Sequence, residues 1–222
     1  MTIRVLLADD EPLLRMAFSM VLEAQPDMEA VGEAADGAEA VRLARRLRPD
    51  VVLMDVRMPG TDGIQATEKI LRDRRQTRVL ILTTFDLDEY AFAALRAGAS
   101  GFLLKNARPD ELLAAIRNVA AGEAALSPRI TRHMLDTFAH QLGPPPEEDP
   151  RLHRLTPREL DVLVEVGRGL SNAEIAAALH LAEATVKTHL GRVLTKLELR
   201  DRVQAVVFAH QNRLVSHEDR RE

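Results

Sequence analysis

The sequence predicts a doubly wound α/β domain with a five-stranded parallel sheet, followed by a small all-α domain. Over the first 125 residues, short apolar runs rich in β-branched residues alternate with amphipathic stretches. This alternation is typical of strand–helix units that form a parallel sheet with helices on both faces. After residue 126 the strand pattern stops, and two capping boxes mark helix starts. These observations divide the chain into two domains of different class.

Each element of the first domain follows from its pattern. The apolar runs predict strands at 3–8, about 29–32, 51–54, 79–82 and 101–104. Apolar residues at helical spacing predict helices at about 12–24, 36–47, 63–74, 87–97 and 109–121. Gly98 and Gly101 mark the last helix-to-strand turn, between the helix at about 87–97 and the strand at 101–104.

A connecting segment is predicted at 126–151, between a first domain at 1–125 and a second at 152–222. Its first part, SPRITRHMLDTFAHQL, favours one further helix. The stretch that follows, GPPPEEDPRLHR, contains four prolines and three consecutive acids. Such a composition indicates an extended linker.

Two capping boxes begin the helices of the second domain. One is Thr156 with Glu159, where Pro157 takes the first helical position, and the other is Ser171 with Glu174. The helices that follow are predicted to end at about residues 167 and 179. A third begins near residue 183, and a final helix spans about 201–215.

The third helix of this domain has an apolar stripe and a polar face. The stripe consists of Val186, Leu190, Val193, Leu194 and Leu197, which recur at helical spacing and predict a core contact. Two short helices and a third with a basic, small-residue-rich face resemble a helix-turn-helix, whose second element enters the major groove of DNA. The opposite face carries Thr185, Thr188, Gly191 and Arg192, with Lys187, His189 and Lys196 on the flanks.

Composition excludes several kinds of site. The chain has 222 residues, of which 46% are hydrophobic and 29% charged, and it has no cysteine. Disulfides, zinc–thiolate sites and thiol nucleophiles are therefore excluded, which fits a reducing compartment. No apolar run approaches the ~20 residues that span a bilayer. We therefore expect a cytoplasmic protein with no membrane partner.

Five polar residues stand at the ends of predicted strands. Asp9 and Asp10 follow the first strand, Asp55 the third, Thr83 the fourth and Lys105 the fifth. The carboxyl ends of parallel strands line one crevice, so these side chains are expected to converge. Three carboxylates beside one ammonium need a divalent cation to balance the acids, and the ammonium offers a partner to an anion. The sequence therefore predicts a phosphate-and-metal site.

Both halves of the chain resemble a known family. The segments LLADDEP, VVLMDVRMPGTDG, LILTTFD and GASGFLLK resemble the flavodoxin-like receiver domain of two-component response regulators. The segments LTPRELDVLVEVGRGLSNAEIA and TVKTHLGRVLTKL resemble the LuxR-type helix-turn-helix. Together, in this order, they resemble the NarL/FixJ subfamily over about residues 2–122 and 152–215.

The resemblance implies a role for each residue of the strand-end cluster. Mg²⁺ would be held by Asp10, Asp55 and the backbone carbonyl of Arg57, with Asp9 acting through water. Asp55 would also be the nucleophile that accepts a phosphoryl group from a sensor histidine kinase. Lys105 would serve as a point charge beside the phosphoryl oxygens.

Thr83 and Phe102 are implied to be the switch pair. In the family, a threonine hydroxyl bonds the new phosphoryl oxygen and an aromatic side chain reorients into the space this opens. Thr83 is preferred over Thr84 because it directly follows the apolar strand VLIL. The alternative for Phe102 is an ordinary half-buried strand aromatic.

The second domain is implied to bind promoter DNA as a homodimer that forms on phosphorylation. Base or backbone contact is expected from Lys187, Thr188, His189 and Arg192, and phosphate contact from Thr185 and Lys196. The final helix would dimerise the domains, although the same stripe could equally pack on the domain core. The dimerisation residues are Val203, Val206, Val207, His210 and Leu214.

Three functions from different classes remain open at this point. The first is a phosphorylation-switched transcription factor, which is not an enzyme beyond slow loss of its own phosphoryl group. The second is a regulator that no longer depends on phosphorylation. The third is a phosphatase-like enzyme that uses Asp55 and Mg²⁺ on small substrates.

Overall fold

The computed structural model describes residues 2–74, 76–83, 89–122 and 149–215, with the backbone alone described at 89–92. The chain divides into two compact units, Met1–Leu126 and Ser127–Glu222. The helix predicted after residue 126 and most of the predicted linker lie outside the described residues. Among the described residues, no helix is long and apolar enough to cross a membrane.

The first unit contains a five-stranded parallel sheet in the order β2-β1-β3-β4-β5. This confirms the predicted fold class. Because β1 and β3 are neighbours near the middle, the ends of these two strands lie side by side. The strands are β1 Ile3–Ala8, β2 Met28–Ala34, β3 Val51–Asp55, β4 Arg78–Thr83 and β5 Gly101–Leu104.

Five helices flank the sheet in two layers. Helices α1 and α5 contribute Leu22 and Ile116 to one core, where they meet Val5, Leu53 and Leu80 of the strands. Alternate strand residues point the other way, toward α2 and α3. The helices are α1 Pro12–Glu23, α2 Gly37–Leu47, α3 Gly63–Asp73, α4 Glu89–Arg96 and α5 Pro109–Ala120.

The loop between β3 and α3 is held by close backbone contacts at two glycines. A Cβ on Gly63 would lie 1.9 Å from the carbonyl oxygen of Asp55, and a Cβ on Gly37 would lie 2.3 Å from that of Thr61. The Gly63 N–H also donates to the Val56 carbonyl at 2.9 Å. Only a residue without a side chain permits such an approach. The loop after Asp55 is therefore fixed largely by main chain.

The second unit is helical throughout its described residues. A short 3₁₀ turn, Pro150–Arg154, precedes α6 Pro157–Gly167, α7 Asn172–Leu179, α8 Glu183–Leu197 and α9 Arg202–Gln211. Both predicted capping boxes are present, with reciprocal bonds between Thr156 and Glu159 and between Ser171 and Glu174. The core joins Leu163 of α6, Ile175 of α7 and Leu190 of α8.

Among the described residues, two elements end at least two residues away from the predicted position. Strand β2 extends to Ala34 because it continues to pair with β1 after a register shift between Val5 and Leu6. Helix α9 ends at Gln211 rather than near residue 215. Arg213 adopts a left-handed φ of 52°, and Leu214 N–H bonds back to the Ala209 carbonyl at 2.9 Å. This reversal closes the helix.

Candidate functional site

The carboxyl end of the sheet brings acidic and basic side chains together, as predicted. Lys105 Nζ lies 2.9 Å from Asp9 Oδ2 and 3.0 Å from Asp55 Oδ2. These three side chains are nearly inaccessible to solvent. Their positions follow from the strand order, since Asp9 leaves β1, Asp55 ends β3, and Lys105 leaves β5. The Lys105 N–H also donates to the Thr83 carbonyl at 2.8 Å.

The acids of this cluster fit a divalent cation. One carboxylate oxygen from each of Asp9, Asp10 and Asp55 lies within 4.8 Å of the others. Asp9 Oδ2 is buried and, although it faces Lys105, it makes no hydrogen bond of normal geometry among the described residues. Mg²⁺ prefers hard oxygen ligands, and proteins usually hold it by one or two carboxylates while water and phosphate oxygens fill its other positions. A single ammonium leaves the three acids under-compensated.

Burial sets the protonation of the two central groups. Desolvation raises the pKa of the Asp55 carboxyl, and the hydrogen bond and charge of Lys105 offset this only in part. Burial alone would lower the pKa of Lys105, but its close contacts with the Asp9 and Asp55 carboxylates outweigh that and raise it. Lys105 therefore stays protonated. It can act as a fixed positive charge, but not as a general base. A bound cation would favour the ionised form of Asp55.

Two further residues at this site were missed by sequence reasoning. Glu11 Oε1 lies 3.6 Å from Lys105 Nζ, and its N–H donates to Asp9 Oδ1 at 2.9 Å. Arg15, one turn into α1, donates from Nη1 to the Asp9 carbonyl at 2.7 Å. Glu11 directly follows the acid pair and could have been noticed. Arg15 carries no sequence signal, because its partner is a backbone atom.

The structure places the remaining predicted receiver residues around the cluster. The backbone N–H of Arg57 donates to Asp55 Oδ1 at 3.3 Å, so the loop after β3 bonds the Asp55 carboxylate directly. Thr83 is half-buried at the end of β4. Phe102 is 2% exposed on β5, opposite Ile81 of β4. Its ring is therefore packed inside the unit. Thr84, the alternative to Thr83, lies outside the described residues.

Helix α8 of the second unit presents the predicted two-sided pattern. Val186, Leu190, Val193 and Leu197 are buried, and Leu194 is partly buried against the same core. Lys187, Thr188 and Arg192 are exposed on the other side. Ala182, at the N-cap, makes no side-chain cap bond. Helix α8 therefore begins without a side-chain cap, and its buried stripe packs it against the domain core.

The other predicted DNA-facing residues are less open. Thr185 and His189 are half-buried, and His189 Nδ1 is a buried atom with no hydrogen-bond partner among the described residues. Thr188 Oγ1 donates to the Ala184 carbonyl of its own helix at 2.9 Å. Its hydroxyl hydrogen is therefore already used within the helix.

Lys196 is used by the fold itself. Its Nζ lies 2.6 Å from Oε2 of Glu159, a carboxylate of α6 that is 2% exposed. The hydrogen bond from Lys196 and the backbone bond from Thr156 lower the pKa of Glu159 to about 2. This ion pair ties α6 to α8. Phosphate contact by Lys196 stays a prediction, but it would compete with this pair.

The lowered pKa of Glu159 gives the second unit an expected pH dependence. A carboxylate whose pKa is lower in the folded state contributes stability above its unfolded pKa, near 4.5, which is lost as pH falls toward about 2. At neutral pH, Glu159→Gln should cost about 2 kcal/mol of unfolding free energy. The difference from the parent should shrink between pH 5 and pH 2. Urea unfolding followed by NMR signals of 157–211 checks this, and a pH-independent difference would contradict it.

The last turn of α8 is bonded by arginines of the 3₁₀ turn. Arg151 Nη1 donates to the Leu197 carbonyl at 2.8 Å, and its guanidinium stacks 4.9 Å from the Phe208 ring centre. Asp149 fixes Arg151 by bonds as short as 2.7 Å. Arg154 lies 3.1 Å from Glu198, the residue that caps α8. Cations at a helix C-terminus satisfy its end carbonyls and suit its dipole.

The stripe on α9 assigned to dimerisation lies inside the domain. Val203, Val206, Val207 and His210 are each less than a tenth exposed, and Leu214 packs against the core. The His210 ring nitrogen Nε2 also bonds the Gly167 carbonyl at 2.8 Å. These positions support the core-packing alternative. Dimerisation through these side chains stays a prediction.

Models of two protein families match the chain. The model described as "Response regulator receiver domain" matches residues 5–117. The model described as "Bacterial regulatory proteins, luxR family" matches residues 153–209. The first covers the sheet-end cluster, and the second covers helices α6 to α8 and most of α9.

Curated relatives match along nearly their whole length. The uncharacterized transcriptional regulatory protein YxjL of Bacillus subtilis strain 168 is 46% identical over 221 residues, which covers 96% of this chain and 97% of that protein. The transcriptional regulatory protein LiaR of the same strain is 43% identical, with 96% and 100% covered. Among solved structures, the response regulator ChrA of a heme-sensing two-component system is 37% identical, with 96% and 98% covered and a TM-score of 0.51.

Proposed function

Because this chain belongs to the response regulators, with a receiver domain and a LuxR-type DNA-binding domain, we propose that phosphorylation of Asp55 switches its binding to promoter DNA. The observation that carries the proposal is the contact of Asp9 and Asp55 with Lys105 at the carboxyl end of the sheet. The phosphoryl donor is a sensor histidine kinase. The expected setting is the cytoplasm, where donor and DNA are both available.

The chemistry follows from the positions of the side chains. The Asp55 carboxylate attacks phosphorus, the bond from phosphorus to the donor breaks with its electrons leaving on the donor, and an acyl phosphate remains on Asp55. Lys105 neutralises charge on the equatorial oxygens. Asp9, Asp10, Asp55 and the Arg57 carbonyl would hold Mg²⁺, which when bound screens the carboxylates from the incoming phosphoryl oxygens.

The switch is proposed to pass through β4 and β5. Thr83 is bonded through its carbonyl to the Lys105 N–H, so a change at the phosphoryl group reaches both strand ends. The Thr83 hydroxyl would bond a phosphoryl oxygen and leave space for Phe102 to reorient. A buried aromatic that changes position alters the surface outside it, and that change would favour a homodimer.

The DNA interface is proposed on the exposed side of α8. Lys187 and Arg192 are its exposed cations, beside Thr188 and the open Gly191. A helix with its core stripe inward and cations outward matches the second element of a helix-turn-helix in the major groove. His189, Thr185 and Lys196 flank this surface, and Lys196 would contact phosphate only if it gave up part of its pair with Glu159.

One experiment on the full chain separates the proposal from its alternatives. We would add excess acetyl phosphate and Mg²⁺, and then measure phosphoryl groups per chain, phosphate release and affinity for a selected duplex. One group per chain, slow loss and tighter DNA binding are expected. Sustained turnover would indicate a phosphatase-like enzyme. DNA binding that does not respond to phosphorylation would indicate a regulator that no longer depends on it.

Base reading and charge on α8 can be told apart by substitution. Lys187→Ala and Arg192→Ala would each be made in the full chain. At least one of these two variants is expected to lose about 1–3 kcal/mol of binding free energy at the selected site and to show relaxed sequence specificity. A residue that only neutralises phosphate should weaken all duplexes alike and lower the salt slope by about one. Binding to selected and random duplexes across a salt series is the measurement.

The control for these variants is Lys69→Ala, which removes an exposed cation from the receiver domain. It should leave the affinity for both duplexes unchanged. Unchanged affinity of both α8 variants for the selected site would show that α8 is not the recognition helix.

A further inference from the structure

Arg15 connects helix α1 to the backbone of the acid pair. Its side chain is 14% exposed, its Nη1 donates to the Asp9 carbonyl at 2.7 Å, and its Nε donates to Glu33 Oε2 at 3.2 Å. We infer that Arg15 is a positioning residue that sets the orientation of the Asp9–Asp10 peptide for Mg²⁺ binding. The inference rests on the proposed function, because it takes Asp9 and Asp10 as metal ligands.

The peptide that Arg15 contacts joins two of the acids. A peptide unit is planar and rigid, so the direction of the Asp9 carbonyl fixes where the Cα of Asp10 lies. Asp10 is exposed, and side-chain packing does not place it. Its carboxylate nevertheless lies within 4.8 Å of those of Asp9 and Asp55. Holding the carbonyl is therefore a way to hold Asp10 without touching it.

The rest of Asp9 is already fixed by other groups. Its N–H donates to the Ala34 carbonyl at 3.2 Å, and its Oδ1 accepts from the Glu11 N–H at 2.9 Å. Arg15 supplies the remaining contact, at the carbonyl. Without it, the peptide could rotate about the bonds on either side while β1 kept its pairing. The acid pair would then spend less time in the arrangement that binds a metal ion.

Glu33 fixes Arg15 in turn and offsets its charge. It lies on β2 beside Ala34, whose carbonyl accepts the Asp9 N–H. One guanidinium thus spans two neighbouring strands and the helix between them. The rigid fork of arginine reaches two acceptors at once, whereas a lysine ammonium would reach one with a flexible stem. A lysine at this position should therefore restore only part of the effect.

The test measures Mg²⁺ binding by the full chain without a phosphoryl donor. Isothermal titration calorimetry of Arg15→Ala should give a dissociation constant about tenfold larger than that of the parent, the usual cost of removing a residue that orients metal ligands. Arg15→Lys should recover part of this loss. Glu33→Gln leaves the bond from Arg15 to the Asp9 carbonyl in place, so this variant should bind Mg²⁺ nearly as tightly as the parent does. Asp10→Asn removes a proposed metal ligand and therefore shows how much Mg²⁺ affinity is lost when a ligand itself is missing.

Two further measurements separate positioning from mere stability. Thermal unfolding without metal shows whether Arg15→Ala is folded during the titration. The rate of phosphorylation by acetyl phosphate should return toward the parent rate in excess Mg²⁺, since the acceptor itself is intact. A lowered unfolding temperature with an unchanged Mg²⁺ dissociation constant would overturn the inference. A parent chain that bound no Mg²⁺ would overturn the proposed function, and this inference with it.

Discussion

Replacement of Asp55 by asparagine is expected to abolish labelling of the full chain by acetyl phosphate in Mg²⁺. The amide has nearly the same shape as the carboxylate but is a poor nucleophile, so the bond to phosphorus cannot form. The fold should survive. Burial raises the pKa of Asp55, which means that the ionised side chain is held at a cost, and a neutral amide avoids that cost. Mass spectrometry of the intact chain measures the labelling.

The control is Asp73→Asn, which removes an acid that pairs with Arg45 away from the sheet end. It should label as the parent does. In a parallel assay, Asp55→Asn should also lose any gain in DNA affinity on treatment with acetyl phosphate. A variant that still gained one phosphoryl group would place the acceptor on another residue, and the role given to Asp55 would be wrong.

Gly63→Ala is expected to destabilise the receiver domain by about 3 kcal/mol. This is the upper end of the usual cost of adding a methyl group at a tightly packed position. The new Cβ would lie 1.9 Å from the Asp55 carbonyl oxygen, and a backbone atom cannot move aside as a side chain can. Without this clash the same change would stabilise α3 by about 1 kcal/mol through helix propensity. Urea unfolding measures the sign.

Gly60→Ala is the matched change in the same loop. Gly60 has a φ of 76° and open space around its missing Cβ. Its replacement should cost only about 1 kcal/mol, the price of a left-handed backbone. Gly63→Ala should also slow phosphorylation, because Asp55 moves with its carbonyl, whereas Gly60→Ala should not. A Gly63→Ala variant as stable as the parent would show that the start of α3 is not in close contact with the end of β3.

Much of the fold and the receiver cluster could be predicted because their signals are local. Apolar runs and capping residues mark the ends of elements, and the ends of parallel strands converge by geometry. Asp9, Asp55 and Lys105 meet for that reason. Arg15 could not be found this way, since it binds a carbonyl that every residue possesses. Periodicity cannot identify a backbone partner.

The second unit shows a different limit of sequence reasoning. An apolar stripe such as that of α9 predicts burial but not what covers it, so the dimer and core alternatives looked the same. Val206 turned out to lie in the domain's own core. Lys196 was predicted to contact phosphate because it flanks the polar face of the third helix. Its partner Glu159 is 37 positions away and comes close only through packing.

The bonds from Arg151 to α8 decide where the DNA-binding domain can be cut. A fragment that begins at residue 152, where the sequence pattern placed the boundary, would lose Arg151 and the Asp149 carboxylate that orients it. Helix α8 would then lose the side-chain donor to its Leu197 carbonyl, and the Phe208 ring would lose the guanidinium that stacks on it. A fragment intended for crystallisation with DNA should therefore begin no later than Asp149. Protease cleavage just after Arg151 should loosen the end of a helix that lies more than forty residues further along the chain.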